Sequence, residues 1–247
     1  MEIRKNLETT GSNNKPILLD IFYNRDAKQK PVIIFSHGFK GFKDWGTFDL
    51  IGQYLAEAGF CFVKFNFSHN GTNPDHPDEL IDKAAFANNN FSKELDDLGY
   101  VINWVQNSGE IPEREINKDA VNLIGHSRGG AITIIKTHTD GNVAKGVSWS
   151  APNDLENRWA PEVVADWKKQ GVLYIENART GEQLPMNYQL IEDLLNNRDV
   201  LNIKNAVKKL DKPLMVAHGT EDEAVPYENA ITMKEWNPNI KLELIPN

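Results

Sequence analysis

Between two apolar stretches, Val121-Asn-Leu-Ile124 and Gly130-Ala-Ile-Thr-Ile-Ile135, lies Gly125-His126-Ser127-Arg128-Gly129. By background composition a G-x-S-x-G string turns up in roughly one chain in ten of this length, so the string alone decides little. Its setting decides more. The run before it reads as a strand and the run after it as a helix. A serine in a sharp strand-to-helix turn needs glycines on both sides so that strand and helix can approach closely. Such a turn exposes the serine Oγ at the top of a sheet, with the N-terminus of the next helix behind it. Ser127 is accordingly read as a nucleophile.

The rest of the chain supplies a sheet for that turn to stand on. Short apolar runs alternate with amphipathic stretches, the pattern of an α/β fold with a mostly parallel central sheet and helices on both faces. Strands are expected at residues 16–23, 31–36, 61–67, 120–124, 143–150, 213–217 and 240–245. Phe48, Ile51, Leu55 and Ala58 share a helical face, as do Leu95, Leu98, Ile102 and Val105 in a helix that Ser92 could cap. Helices are also expected near 129–136 and 227–236. The rhythm breaks between Ala151 and Leu210. There Val172-Leu-Tyr-Ile175 and Glu182-Gln-Leu184 flank a turn, suggesting a hairpin, and a helix follows over 187–196. An insertion of about sixty residues with its own elements reads as a cap, with two extra sheet-covering helices as the alternative. The expected organisation is core over 1–150, inserted cap over 151–210 and core again over 211–247.

Composition narrows the partners. The 247 residues are 40% hydrophobic and 25% charged, ordinary for a globular protein. A net charge of −8 argues against a nucleic acid or an anionic membrane surface as the main partner. Apolar runs are only a few residues long, and the first residues lack the apolar core of a signal segment, so a cytoplasmic location is the expectation. Cys61 is the single cysteine, which excludes an internal disulfide, and its strand-like setting reads as a small buried hydrophobe. No H-e-x-x-h pattern or paired Cys/His spacing is present, so neither metal nor cofactor is expected.

Two further motifs follow strand-like runs. Ser36-His37-Gly38-Phe39-Lys40-Gly41 comes after Val32–Phe35, and His218-Gly219-Thr220-Glu221-Asp222-Glu223-Ala224-Val225-Pro226 comes after Pro213–Ala217. A carboxylate at a strand's C-terminal end can orient the histidine that serves a serine, and the spacing favours Asp222 over Glu221 and Glu223. With the three motifs in this order, the chain resembles the α/β-hydrolase superfamily from about residue 16 onward. The His37-Gly38-Phe39 loop and the hairpin-bearing cap are similar to small bacterial esterases related to dienelactone hydrolases and cinnamoyl/feruloyl esterases. The resemblance implies that the backbone N–H groups of Phe39 and Arg128 form an oxyanion hole. It also implies a serine esterase acting on small-molecule esters through an acyl-enzyme. A peptidase or amidase with the same triad, and a binding module without turnover, are the competing expectations.

That resemblance also calls for a histidine after the last strand. None follows Asp222: the six are His37, His69, His76, His126, His138 and His218. The final helix that usually covers the sheet is missing as well, which would leave apolar surface exposed. The sequence is therefore expected to stop short of that loop and helix, and the chain to be impaired. His69, in Ser68-His69-Asn70-Gly71, is the substitute base to consider, while His37 reads as a loop-orienting residue; both are also candidates for substrate contact, with Trp159 and Tyr174. Trp159, Trp167, Tyr174 and Tyr188 could either stack on an aromatic acyl group or anchor the cap. Lys40 and Lys43 could favour an acidic substrate, with solvated surface lysines as the alternative. Oligomeric state is not readable.

Overall fold

A computed structural model describes residues 1–246. In chain order the elements are β1 (Glu2–Thr10), a 3-10 turn at Ser12–Asn14, β2 (Pro16–Tyr23), β3 (Lys30–Ser36), α1 (Phe48–Glu57), β4 (Cys61–Phe65), α2 (Lys83–Ala87), α3 (Phe91–Asn107), β5 (Ile116–His126), α4 (Arg128–Thr139), β6 (Val143–Trp149), α5 (Pro161–Gln170), β7 (Val172–Glu176), β8 (Gln183–Asn187), α6 (Gln189–Asn196), α7 (Ile203–Lys209), β9 (Leu214–Gly219), α8 (Glu228–Trp236) and β10 (Lys241–Ile245). The main sheet runs in the order β1-β2-β4-β3-β5-β6-β9-β10, and β7 pairs only with β8. From β4 through β10 every neighbouring pair is parallel, and β1 and β2 add an antiparallel edge.

Strand alternation sorts the core into two layers. Along β3, Val32 and Ile34 join the layer under α3 and α4, whereas Ile33 and Phe35 join Phe48 and Ala56 of α1 on the other face. The sheet is thus covered on both sides, which is why its strands read as near-continuous apolar runs. Strand β1 escaped the pattern because its alternation is broken: Asn6 has φ 54 and the register with β2 shifts between Arg4 and Leu7. The cap of α3 is Asn90, whose side chain accepts from the Lys93 N–H, and not Ser92. Ser92 lies inside the first turn, where its own N–H donates to Asp193 Oδ2. Between β6 and β9 the hairpin β7–β8 and helix α6 form as expected. Trp167 holds them: it is buried, donates from Nε1 to the Met186 carbonyl at 2.8 Å and meets Trp159 and Tyr188 edge-on.

One expectation about the loop after β3 is overturned. Lys43 is buried, not solvated. Its Nζ pairs with Asp20 at 2.9 Å and with Asp44 at 2.5 Å, while the equally buried Lys64 pairs with Asp20 at 3.2 Å, with Asp44 at 2.6 Å and with Asp49. Lys64 also donates to the Lys43 carbonyl, and the Lys43 N–H donates to Asn66 Oδ1. Charges enclosed this way are tolerable only when mutually paired, so the network pins the loop to β2 and β4.

Two stability predictions follow from this packing. A methyl group on Gly129 would sit 2.3 Å from the His37 carbonyl oxygen and 2.5 Å from that of Ser36, whereas one on Gly141 meets nothing within 4 Å. Gly129→Ala is expected to cost about 1–3 kcal/mol or more, and Gly141→Ala to stay within about 0.5 kcal/mol, as read from urea midpoints. In the ionic network, burial opposes ionisation of Asp44, but hydrogen bonds and charge from Lys43 and Lys64 outweigh it and hold the carboxyl down at about 2. A depressed carboxyl contributes stability that is present above its ordinary value near 3.8 and lost as pH falls toward 2. Asp44→Asn should therefore flatten the pH dependence of unfolding in that window; an unchanged slope would rule out the pairing.

Candidate active site

The sheet register brings the three motifs to one edge. Ser36 pairs with Gly125 across β3–β5, His126 with Trp149 across β5–β6, and Trp149 with Ala217 across β6–β9. All four strands are parallel, so the loops leaving them emerge side by side at the C-terminal end, where ligands of open α/β sheets bind. Those loops carry His37–Lys40, Ser127 and Asp222.

Ser127 itself sits at φ 53, ψ −121, a conformation that costs a non-glycine residue about 1–3 kcal/mol. Its N–H donates to the Trp149 carbonyl at 2.7 Å, and its carbonyl accepts from Gly130 and Ala131 as α4 begins. Glycine is obligatory on either side. A methyl on Gly125 would lie 2.2 Å from the Gly129 oxygen, and one on Gly130 would lie 2.9 Å from both the Gly125 oxygen and Ala151 Cβ. The N–H groups of Phe39 and Arg128 have no backbone acceptor among the described residues.

Two cavities meet at Ser127 and Phe39. The first, about 240 Å³, runs between the loop after β3 and the tip of the β7–β8 hairpin, with Trp45, His126 and Arg179 in its walls. The hairpin tip grips the loop: Arg179 Nη2 donates to the Lys40 carbonyl at 2.6 Å with its guanidinium 4.0 Å over Trp45, and Lys40 Nζ donates to the Glu176 carbonyl at 3.0 Å. The second cavity, about 140 Å³, lies on the other side of Ser127 under Phe91, Leu155 and Trp159. Trp159 therefore faces the site, whereas Tyr174 is 59% exposed and lines neither cavity.

Asp222 lies in the loop after β9. Its Oδ1 accepts from the Ala224 and Val225 N–H groups at 3.0 and 2.9 Å, and Ser150 nearby sits at φ 49. Burial works against ionisation there, but these bonds prevail and hold the carboxyl below its usual range. The nearest imidazole is His218, 3.6 Å from Oδ2, yet its ring is enclosed and its Nε2 meets the Val225 carbonyl at 2.8 Å.

The remaining histidines divide by task. His37 is buried, with Nδ1 2.8 Å from the Gly38 carbonyl and Nε2 accepting from the Phe67 N–H at 3.3 Å; burial pushes it down to about 4. Both partners belong to the loops that follow β3 and β4. His69 lines neither cavity. It is buried beside Ser68 Oγ at 2.7 Å and is likewise lowered, mainly by burial, to about 4. His126, which the motif reading passed over, does line the Ser127 cavity; burial lowers its pKa while the charge of Asp222 works the other way. Its position next to the serine was the available signal. Phe91, Arg158 and Arg179 had none, because each reaches the site from a distant part of the sequence.

Comparison with known proteins bears on the family and the fold. A Bacillus subtilis (strain 168) protein described as "Putative esterase YitV" is 25% identical over 199 residues, 80% of this chain and 70% of that protein. The ferulic-acid-bound structure of Est1E from Butyrivibrio proteoclasticus superposes with a TM-score of 0.72 at 19% identity, covering 97% of this chain and 89% of that one. The esterase domain of a Rhodothermus marinus protein gives 0.63 at 18% identity, over 100% and 88%. These structures share the α/β-hydrolase fold, and the BD-FAE family matches residues 19–237, most of the sequence. The chain belongs to the BD-FAE family.

Proposed function

We propose that the chain is a serine hydrolase of small carboxylic esters, working through an acyl-enzyme on Ser127. The observation that carries this reading is the strained Ser127 turn at the junction of two cavities, with the unengaged N–H groups of Phe39 and Arg128 on the adjoining loops. The named relatives are esterases, which points the same way.

Attack of Ser127 Oγ on the ester carbonyl moves charge onto the carbonyl oxygen. Phe39 and Arg128 would donate their N–H groups to it, at no cost in reorganisation because both are already fixed. The segment between β6 and β9 acts as a cap, its hairpin tip and Trp159 walling the substrate off from water. The proton acceptor is an imidazole that contacts both Ser127 and the ionised Asp222, which fixes its tautomer and steadies its charge. No histidine among the described residues makes both contacts. Once protonated, that imidazole returns its proton to the leaving alcohol, and water repeats the sequence on the acyl group.

Added imidazole tests this directly. Hydrolysis of p-nitrophenyl butyrate by the chain is expected to stay near the roughly 10³–10⁴-fold enhancement that a site without its full triad supplies, and to rise on adding imidazole. Ser127→Ala should remove the imidazole-dependent part beyond the solution background, and Asp222→Asn should shrink it. Identical imidazole dependence in the parent and Ser127→Ala proteins would sink the reading. Ordinary enzyme turnover without imidazole, lost on His126→Ala, would make His126 the base instead.

A further inference from the structure

Two arginines and no carboxylate line the second cavity. Arg128 is only 8% exposed, and its guanidinium lies between the rings of Phe39 and Phe91, 5.1 and 4.4 Å from their centres. Its Nε donates to Glu94 Oε2 at 2.9 Å, but its Nη2 is buried with no hydrogen-bond partner among the described residues. An unsatisfied buried donor on a charged group costs stability, so such groups are normally paired. Glu94 is also engaged by Asn89 Nδ2 at 2.7 Å.

Arg158, an exposed residue whose side chain lines the same cavity, forms no ion pair or hydrogen bond among the described residues. Its acidic neighbour, Asp154, is committed to its own turn, accepting from the Glu156 N–H at 2.7 Å and from Asn157 Nδ2. Glu94 pairs with Arg128, which leaves Arg158 as the guanidinium of this cavity without a carboxylate partner.

We propose that this cavity is an anion subsite of the substrate pocket, taking the free carboxylate of an ester that also bears an acid group, with Arg158 as the donor and the Arg128 guanidinium as supporting charge in the wall. The proposal rests on the hydrolase reading above, because Ser127 lines the same cavity and the acid would lie a few bonds from the scissile carbonyl. Guanidinium donors are suited to a carboxylate, which they grip at two points. A single unpaired guanidinium matches a monoanion better than a doubly charged phosphate.

Equilibrium binding to the Ser127→Ala protein tests this without turnover. Calorimetry would compare monomethyl glutarate with its neutral amide, and acetoxyacetate with acetoxyacetamide. The first pair carries the acid on the acyl half and the second on the alcohol half, so the responding pair identifies which half enters the cavity. At least one acid is expected to bind about tenfold or more tightly than its amide at low salt. Arg158→Gln should abolish that preference and Arg158→Lys should retain part of it, with unchanged melting temperatures verifying the fold. Equal binding of acid and amide in both pairs, or a preference that survives Arg158→Gln, would overturn the proposal. A preserved charge preference in a protein without Ser127-dependent hydrolysis would overturn the hydrolase reading alone.

Discussion

The site depends on how closely helix α4 approaches the ends of β3 and β5. Gly129 packs its Cα against the carbonyls of Ser36 and His37, and Gly125 packs against Gly129, at separations no side chain would allow. Only that contact lets the chain reverse within a residue or two and leave Ser127 in a conformation it would not otherwise hold. The helix is then aimed from its N-terminus, placing the Arg128 N–H beside the serine. The same contact fixes the loop after β3 from below, so Phe39 and Ser127 share two cavity walls. Strain at the serine is sustained by packing spread over the whole sheet.

A second set of contacts holds that loop from the side. Lys43 of the loop reaches Asp20 of β2, Lys64 of β4 reaches Asp44 of the loop, and Arg179 with Lys40 ties the loop to the hairpin tip. The loop that borders both cavities is therefore fixed by buried ion pairs at one end and by backbone-directed cations at the other. Rigid placement of donors, rather than their mere presence, is what makes such a site effective.

Most of this frame was legible in the residues. Continuous apolar runs marked the central strands because both sheet faces are covered, and the glycines of the Ser127 turn stood out because close approach forbids anything larger. Strand β1 was hidden because a bulge at Asn6 breaks its alternation. Lys43 was misread because burial of a lysine is decided by partners distant in sequence, here Asp20, that no local pattern reveals. The same holds for Arg158 and Arg179, which reach their positions through tertiary folding of the segment after β6. His69 lay beyond a strand of the correct polarity, but the chain turns it toward Ser68 and away from either cavity.

Ser127, held by its turn in front of two unengaged N–H groups, is the proposed nucleophile. Peptide mapping after reaction with an alkyl p-nitrophenyl phosphonate tests it most directly, because the reagent forms a stable tetrahedral adduct at an activated serine. With imidazole present, a single adduct is expected, on the peptide carrying Ser127, and none in Ser127→Ala. Adducts spread over other residues, or one that persists in Ser127→Ala, would contradict it.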